Sequence, residues 1–80
     1  MSKRMTERLH REYDKLVREM EGLEMTDSLG LMCYEENLKD YWKKLGEKAK
    51  TDEEKELVAK GIALFHETIS RQRQKGEQHG

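Results

Sequence analysis

Apolar residues recur every three or four positions in three separate stretches of this chain, and no proline interrupts any of them. In the first stretch Leu9, Tyr13, Leu16, Met20 and Leu23 follow one another at steps of 4, 3, 4 and 3, with Met5 one step upstream and Val17 beside the stripe. At 100° per residue these side chains cover an arc of roughly 120°, the width of one face of an amphipathic helix. Leu31, Tyr34, Leu38, Tyr41 and Leu45 repeat the pattern in the second stretch, joined by Trp42 and Ala49. The third stretch carries Leu57, Val58, Ile62, Leu64, Phe65 and Ile69 over a wider arc. No segment alternates with period two, so the pattern predicts an all-α fold without strands.

The punctuation between the stretches sets their limits. Thr51 and Glu54 have the spacing of a capping box, in which the threonine hydroxyl and the glutamate carboxylate each accept from the other's backbone amide. Asp52, Glu53, Glu54 and Glu56 then open the third helix and Arg71, Arg73 and Lys75 close it, the charge order that a helix macrodipole favours. Thr26, Asp27 and Ser28 offer an N-cap for the second helix, and Gly46 a stop for it. The predicted helices span 3–24, 27–48 and 52–74 in a single domain, 1–74, followed by a disordered polar tail at 75–80.

Composition matters to one question, whether so polar a chain folds. Only 14 of its 80 residues are Leu, Ile, Val or Phe, below the ~20% at which disorder competes, but a net charge of −1 lacks the imbalance that disorder usually carries. Periodicity therefore decides for a folded chain. The stripes of the first two helices are narrow for helices that must each touch two neighbours. Three antiparallel helices are expected, either as a small bundle or as a helical hairpin completed by dimerisation. Charged pairs at i,i+4, Glu35 with Lys39, Asp40 with Lys44 and Glu67 with Arg71 among them, are expected on the solvated faces.

The chemistry-bearing residues form no catalytic set. His66-Glu67-Thr68-Ile69-Ser70 begins like the zinc motif H-E-x-x-H, but Ser70 stands where the second ligand belongs. The lone Cys33 cannot form an intrachain disulfide and has no histidine near it in sequence. The six glycines are scattered, so no phosphate-binding loop exists. No enzyme activity, metal or cofactor is expected. No apolar run reaches the ~18 residues of a membrane span, and Met1 to Arg4 lack a signal peptide's apolar stretch, so a cytoplasmic protein without membrane attachment is expected.

Two groups of residues carry the functional expectations. Met25, Leu29, Met32 and Cys33 project away from the second stripe and form an apolar collar at the first helix junction, and Trp42 sits at the stripe's edge. The collar either closes one end of the core or receives another protein, and Trp42 is likewise either core, the favoured reading, or an interface anchor. The leading expectation is accordingly a non-enzymatic regulator or inhibitor that docks on a larger protein partner. The alternatives are a self-assembling subunit and a nucleic-acid-binding bundle that uses Lys43, Lys44, Lys48 and Lys50 with Arg71, Arg73 and Lys75. Charge balance disfavours the latter, since each third of the chain holds nearly equal numbers of cations and carboxylates.

Overall fold

The computed structural model describes the backbone from Ser2 to Gln78 and side chains from Arg4 to Gly76. Among the described residues the chain is three helices and no strand: α1 Ser2–Glu21, α2 Ser28–Lys48 and α3 Asp52–Gln78. α3 packs along both α1 and α2, whereas those two approach each other far less closely. The molecule is a rod of 50 × 19 × 15 Å.

One core runs through it. Leu9, Leu16 and Met20 of α1 meet Leu31, Trp42 and Leu45 of α2 and Leu57, Val58, Phe65 and Ile69 of α3, all buried. Burying a side chain of this size stabilises by ~1.5–3 kcal/mol. Most of each stripe is therefore covered within one chain, with α3 supplying a neighbour to both other helices, while Tyr41 and Ile62 of the stripes are exposed.

The register of the helices follows from side-chain contacts. Thr6 Oγ1 of α1 donates to Glu54 Oε2 near the start of α3 at 2.9 Å, and Gln72 Nε2 near its end donates to the Leu23 carbonyl just past α1 at 3.0 Å. Tyr34 and Tyr41 of α2 donate to Glu19 and Glu12 of α1 at 3.1 and 2.7 Å. Trp42 of α2 lies on Gly61 of α3, where a Cβ would fall 2.5 Å from Cζ3 of the indole. The absent side chain is what lets the ring sit so deep, with 1% of Trp42 exposed.

The capping box forms as its spacing requires and does more than cap. Glu54 Oε1 accepts from the backbone amides of Lys50 and Thr51 at 2.8 and 3.2 Å, and the Thr51 hydroxyl accepts from the Glu54 amide at 3.1 Å. With Thr6 on its other oxygen, Glu54 is 1% exposed and ties α1 to the start of α3. These bonds, led by those from the Lys50 and Thr51 amides, hold its carboxyl below the usual carboxylate range.

Two helix ends differ from those expected, those of α1 and α3, while α2 ends at Lys48 as its expected span has it. α1 ends at Glu21 rather than 24, since its last bonds run from Gly22 N to the Arg18 carbonyl and from Leu23 N to the Met20 carbonyl. Gly46 does not end α2: it lies inside the helix, with the space of its missing side chain against Val58, and Ala49 caps the end. α3 continues to Gln78 where a polar tail is expected from 75, because its last turns lie on the α1–α2 connection. Gly76 there has its missing Cβ 2.7 Å from the Thr26 carbonyl oxygen. His79 and Gly80 lie outside the described residues.

Gly61→Ala is expected to lower the melting temperature. Overpacking the buried indole costs ~1–3 kcal/mol and outweighs the better helix propensity of alanine. Gly22→Ala, whose Cβ would meet only the Arg18 carbonyl at 3.7 Å, is expected to leave the melt unchanged or raise it. Thermal denaturation of both variants checks the pair, and a higher melting temperature for Gly61→Ala contradicts the packing described.

A second expectation follows from Glu54. A carboxyl with a depressed folded pKa contributes stability that is complete above the unfolded value of about 4.3 and is lost as pH falls through the lower folded value. Melting temperature measured between about pH 7 and pH 3 should therefore fall less steeply for Glu54→Gln than for the parent chain at the acid end, from a lower plateau at neutral pH.

Candidate interaction surface

The α1–α2 connection is built around the start of α2. Asp27 is its N-cap: the backbone is extended there (φ −64°, ψ 120°) and Oδ2 accepts from the Gly30 amide at 2.8 Å. The Leu31 amide closes the first turn on the Asp27 carbonyl at 2.8 Å. This start turns Leu31 into the core and leaves the neighbouring positions of the helix facing solvent. Leu29 is 64% exposed and Met32 51%, Cys33 is exposed, and Met25, at 39%, lies beside Gly30, its Sδ 3.3 Å from where a Cβ would stand.

The collar is thus a surface and not a lid on the core. Leu31 is buried in the core and Leu23 packs against it, the work that the first of the two readings assigns to the collar. Trp42, grouped with the collar as an anchor, is buried under Gly61 and belongs to the core. The structure brings Met25, Leu29, Met32 and Cys33 onto the first turns of α2 and the connection before it, and sets Trp42 apart from them.

The basic residues do not assemble into one face. Lys43, Lys44, Lys48 and Lys50 are exposed at the end of α2 and just past it, and Lys44 pairs with Asp40 at 3.3 Å. Arg71, Arg73 and Lys75 lie at the other end of the rod, near the start of α2, where Arg71 pairs with Glu67 and Arg73 Nη2 lies 3.4 Å from Glu35 Oε1.

Glu35 is the polar residue that pair-counting misplaces. Instead of joining Lys39 on the surface it turns inward, buried, with His66 Nδ1 3.0 Å from Oε2 and Arg73 on Oε1. Burial raises the pKa of its carboxyl, but the bonds with His66 and Arg73 outweigh that and leave it below the ordinary value. The signal was present in the sequence: Glu35 stands four residues after Leu31 and three before Leu38, on the apolar stripe.

Two tyrosines on the other flank of α2 complete the polar framework. Burial, with the adjacent Glu19 carboxylate, pushes the Tyr34 phenol up to about 12. The Tyr41 phenol is also raised, first by its bond to Glu12 and then by burial. Both stay protonated as donors and bridge α2 to α1. Between these bridges lies a groove of about 210 Å³ floored by Leu16, Leu38 and Trp42. A second, of about 360 Å³, runs between α1 and α3 over Val17, Met20 and Leu64. Neither groove is lined by a nucleophile paired with a base. Among the described residues no three His, Cys, Asp or Glu side chains stand where they could hold a metal ion, and no helix is long and apolar enough to cross a membrane.

Glu35→Ala should lower stability by about 0.5–1.5 kcal/mol, because it removes the hydrogen bonds by which α2 holds His66 and Arg73 of α3. Glu36→Ala, which removes only an exposed partner of Lys39, should stay within about 0.5 kcal/mol of the parent chain. Urea denaturation of the two variants measures the difference, and equal midpoints would place Glu35 on the surface with its neighbour.

Comparison of the chain with models of known protein families, with curated proteins and with solved structures finds no match.

Proposed function

We propose that this protein is a non-enzymatic interaction module, a small regulator or inhibitor that docks on a larger protein through Met25, Leu29, Met32 and Cys33. The observation that carries the reading is the exposure of these four neighbouring apolar residues on a chain with few core formers. Contiguous exposed apolar residues mark contact surfaces, and methionine adapts its unbranched thioether to the shape of a partner. The collar sits on a scaffold in which α2 runs antiparallel to both α1 and α3, an arrangement that the order of the tyrosine, tryptophan and threonine contacts supports.

Since one core already buries residues of all three helices within one chain, the reading is docking by a finished fold rather than completion of a core by a second copy. The division of the cations between two ends, with Arg71 and Arg73 engaged by carboxylates, gives nucleic acid no continuous track to follow.

The test is affinity capture with the tagged chain, with and without nuclease, alongside Leu29→Glu and Met32→Glu. Both variants should keep the helical circular dichroism of the parent, since neither side chain is in the core, and should lose the captured protein. Retention of the same protein by both variants overturns the reading. So does loss of all bound material on nuclease treatment, which moves the function to nucleic acid.

A further inference from the structure

Resting on the collar as a docking surface, we infer that its partner presents a basic amphipathic helix. The argument is one of charge complementarity around the apolar patch. Between Glu19 and Leu38 the chain carries six of its 17 carboxylates and none of its 16 lysines and arginines. A molecule with a net charge of −1 thus concentrates its negative charge on the segment that holds the collar.

Which of those carboxylates are open to a partner is set by the fold. Glu35 is engaged by Arg73 and His66, Glu19 accepts from Tyr34, and Asp27 caps α2 through one oxygen. Glu36 has Lys39 at 3.7 Å, but both heads are more than half exposed, and such a pair is weak and readily exchanged. Glu24 is exposed next to Met25, whereas Glu21, also exposed, lines the groove between α1 and α3 that Arg71 and Lys75 line as well. The cations that approach this end from α3 are Arg71, whose pair with Glu67 is as exposed as that of Glu36 with Lys39, Arg73, beside Glu35, and the exposed Lys75. The rim beside Met25, Leu29 and Met32 is formed by Glu24, adjacent to Met25 in sequence, and Glu36, on the helix face shared by Leu29 and Met32.

An acidic rim repels phosphate backbones and acidic proteins and draws a cationic partner in, while the methionines and Leu29 provide the apolar contact. The partner's backbone is set by a second constraint. Among the described residues no strand edge exists for an extended peptide to pair with, so such a peptide would desolvate its amides on an apolar patch without partners. A helix brings its backbone bonds already made and lays apolar anchors at i, i+3 or i+4 on the collar, with Lys or Arg reaching Glu24 and Glu36.

The test is titration of the isotope-labelled full chain, followed by amide NMR, with three synthetic peptides of about four helical turns. One is an amphipathic Leu/Lys helix, one a Leu/Glu helix of the same pattern, and one the Leu/Lys composition scrambled so that no stripe forms. The Leu/Lys helix should give saturable shifts at amides of Met25 to Glu36, weakened several-fold between about 50 and about 200 mM salt. The double variant Leu29→Ser/Met32→Ser, exposed and outside the core, should abolish them, and the other two peptides should not produce them.

Equal shifts at the same amides with Leu/Glu would overturn the basic partner and leave the docking reading standing. Equal binding of the scrambled peptide would overturn both, since charge alone would then account for it. Absence of shifts at the collar with the Leu/Lys helix would overturn the basic helix, while affinity capture with Leu29→Glu decides the docking reading by itself.

Discussion

The contact between Trp42 and Gly61 sets the spacing on which the rest of the bundle is built. The six-membered ring of the indole occupies the volume that a side chain at residue 61 would need, so the ring of α2 lies directly on the backbone of α3. That proximity brings Glu35 within reach of both His66 and Arg73 and puts Val58 against Gly46. A glycine inside a helix costs about 1 kcal/mol in propensity, and here the burial of the largest side chain in the chain offsets it. α3 is in consequence a shared wall, packed on α2 by this contact and on α1 by Thr6 with Glu54 and Leu23 with Gln72.

Local hydrogen bonding then fixes where each element begins. Glu54 satisfies two backbone amides at the start of α3 and the Thr6 hydroxyl from α1, so one carboxylate serves as cap and as tertiary link. Asp27 plays the simpler part at α2, and its effect is on orientation. By starting the helix at Ser28 it sends Leu31 to the core, and at 100° per residue Leu29, Met32 and Cys33 must then face away. The collar is a geometric result of the cap.

Periodicity made the helices legible in the sequence because each has one face wide enough to bury. The starts of α2 and α3 follow from the sequence to within one residue, since their side-chain caps are local, whereas α1 and α3 end under tertiary control. Nothing in residues 75–78 announces that Thr26 will lie against Gly76. Glu35 was misplaced for a related reason: a carboxylate four residues before a lysine suits a surface pair, and its position on the apolar stripe acquires meaning only once Arg73 and His66 face it. The collar residues were visible as departures from the stripe, but two readings fitted them until Leu31 and Leu23 were seen to occupy the core without their help. Trp42 went the other way, because a residue at a stripe's edge is decided by its neighbour and that neighbour was a glycine.

The exposure of the collar has to be weighed against what the fold can afford to leave outside. A domain of this length buries only about 60% of the surface its unfolded chain exposes and has little stability in reserve. Leu29 and Met32 contribute little to it, and polar residues at their positions would keep the Asp27 cap, the helix and the core while improving solubility. Folding alone therefore gives no account of apolar side chains there. The same segment collects carboxylates that folding does not require either, Glu24 and Glu36 among them. Each feature singly is ordinary for a surface. Together they place apolar contact area and negative charge on one end of the rod, the arrangement that a cationic helix with an apolar stripe complements.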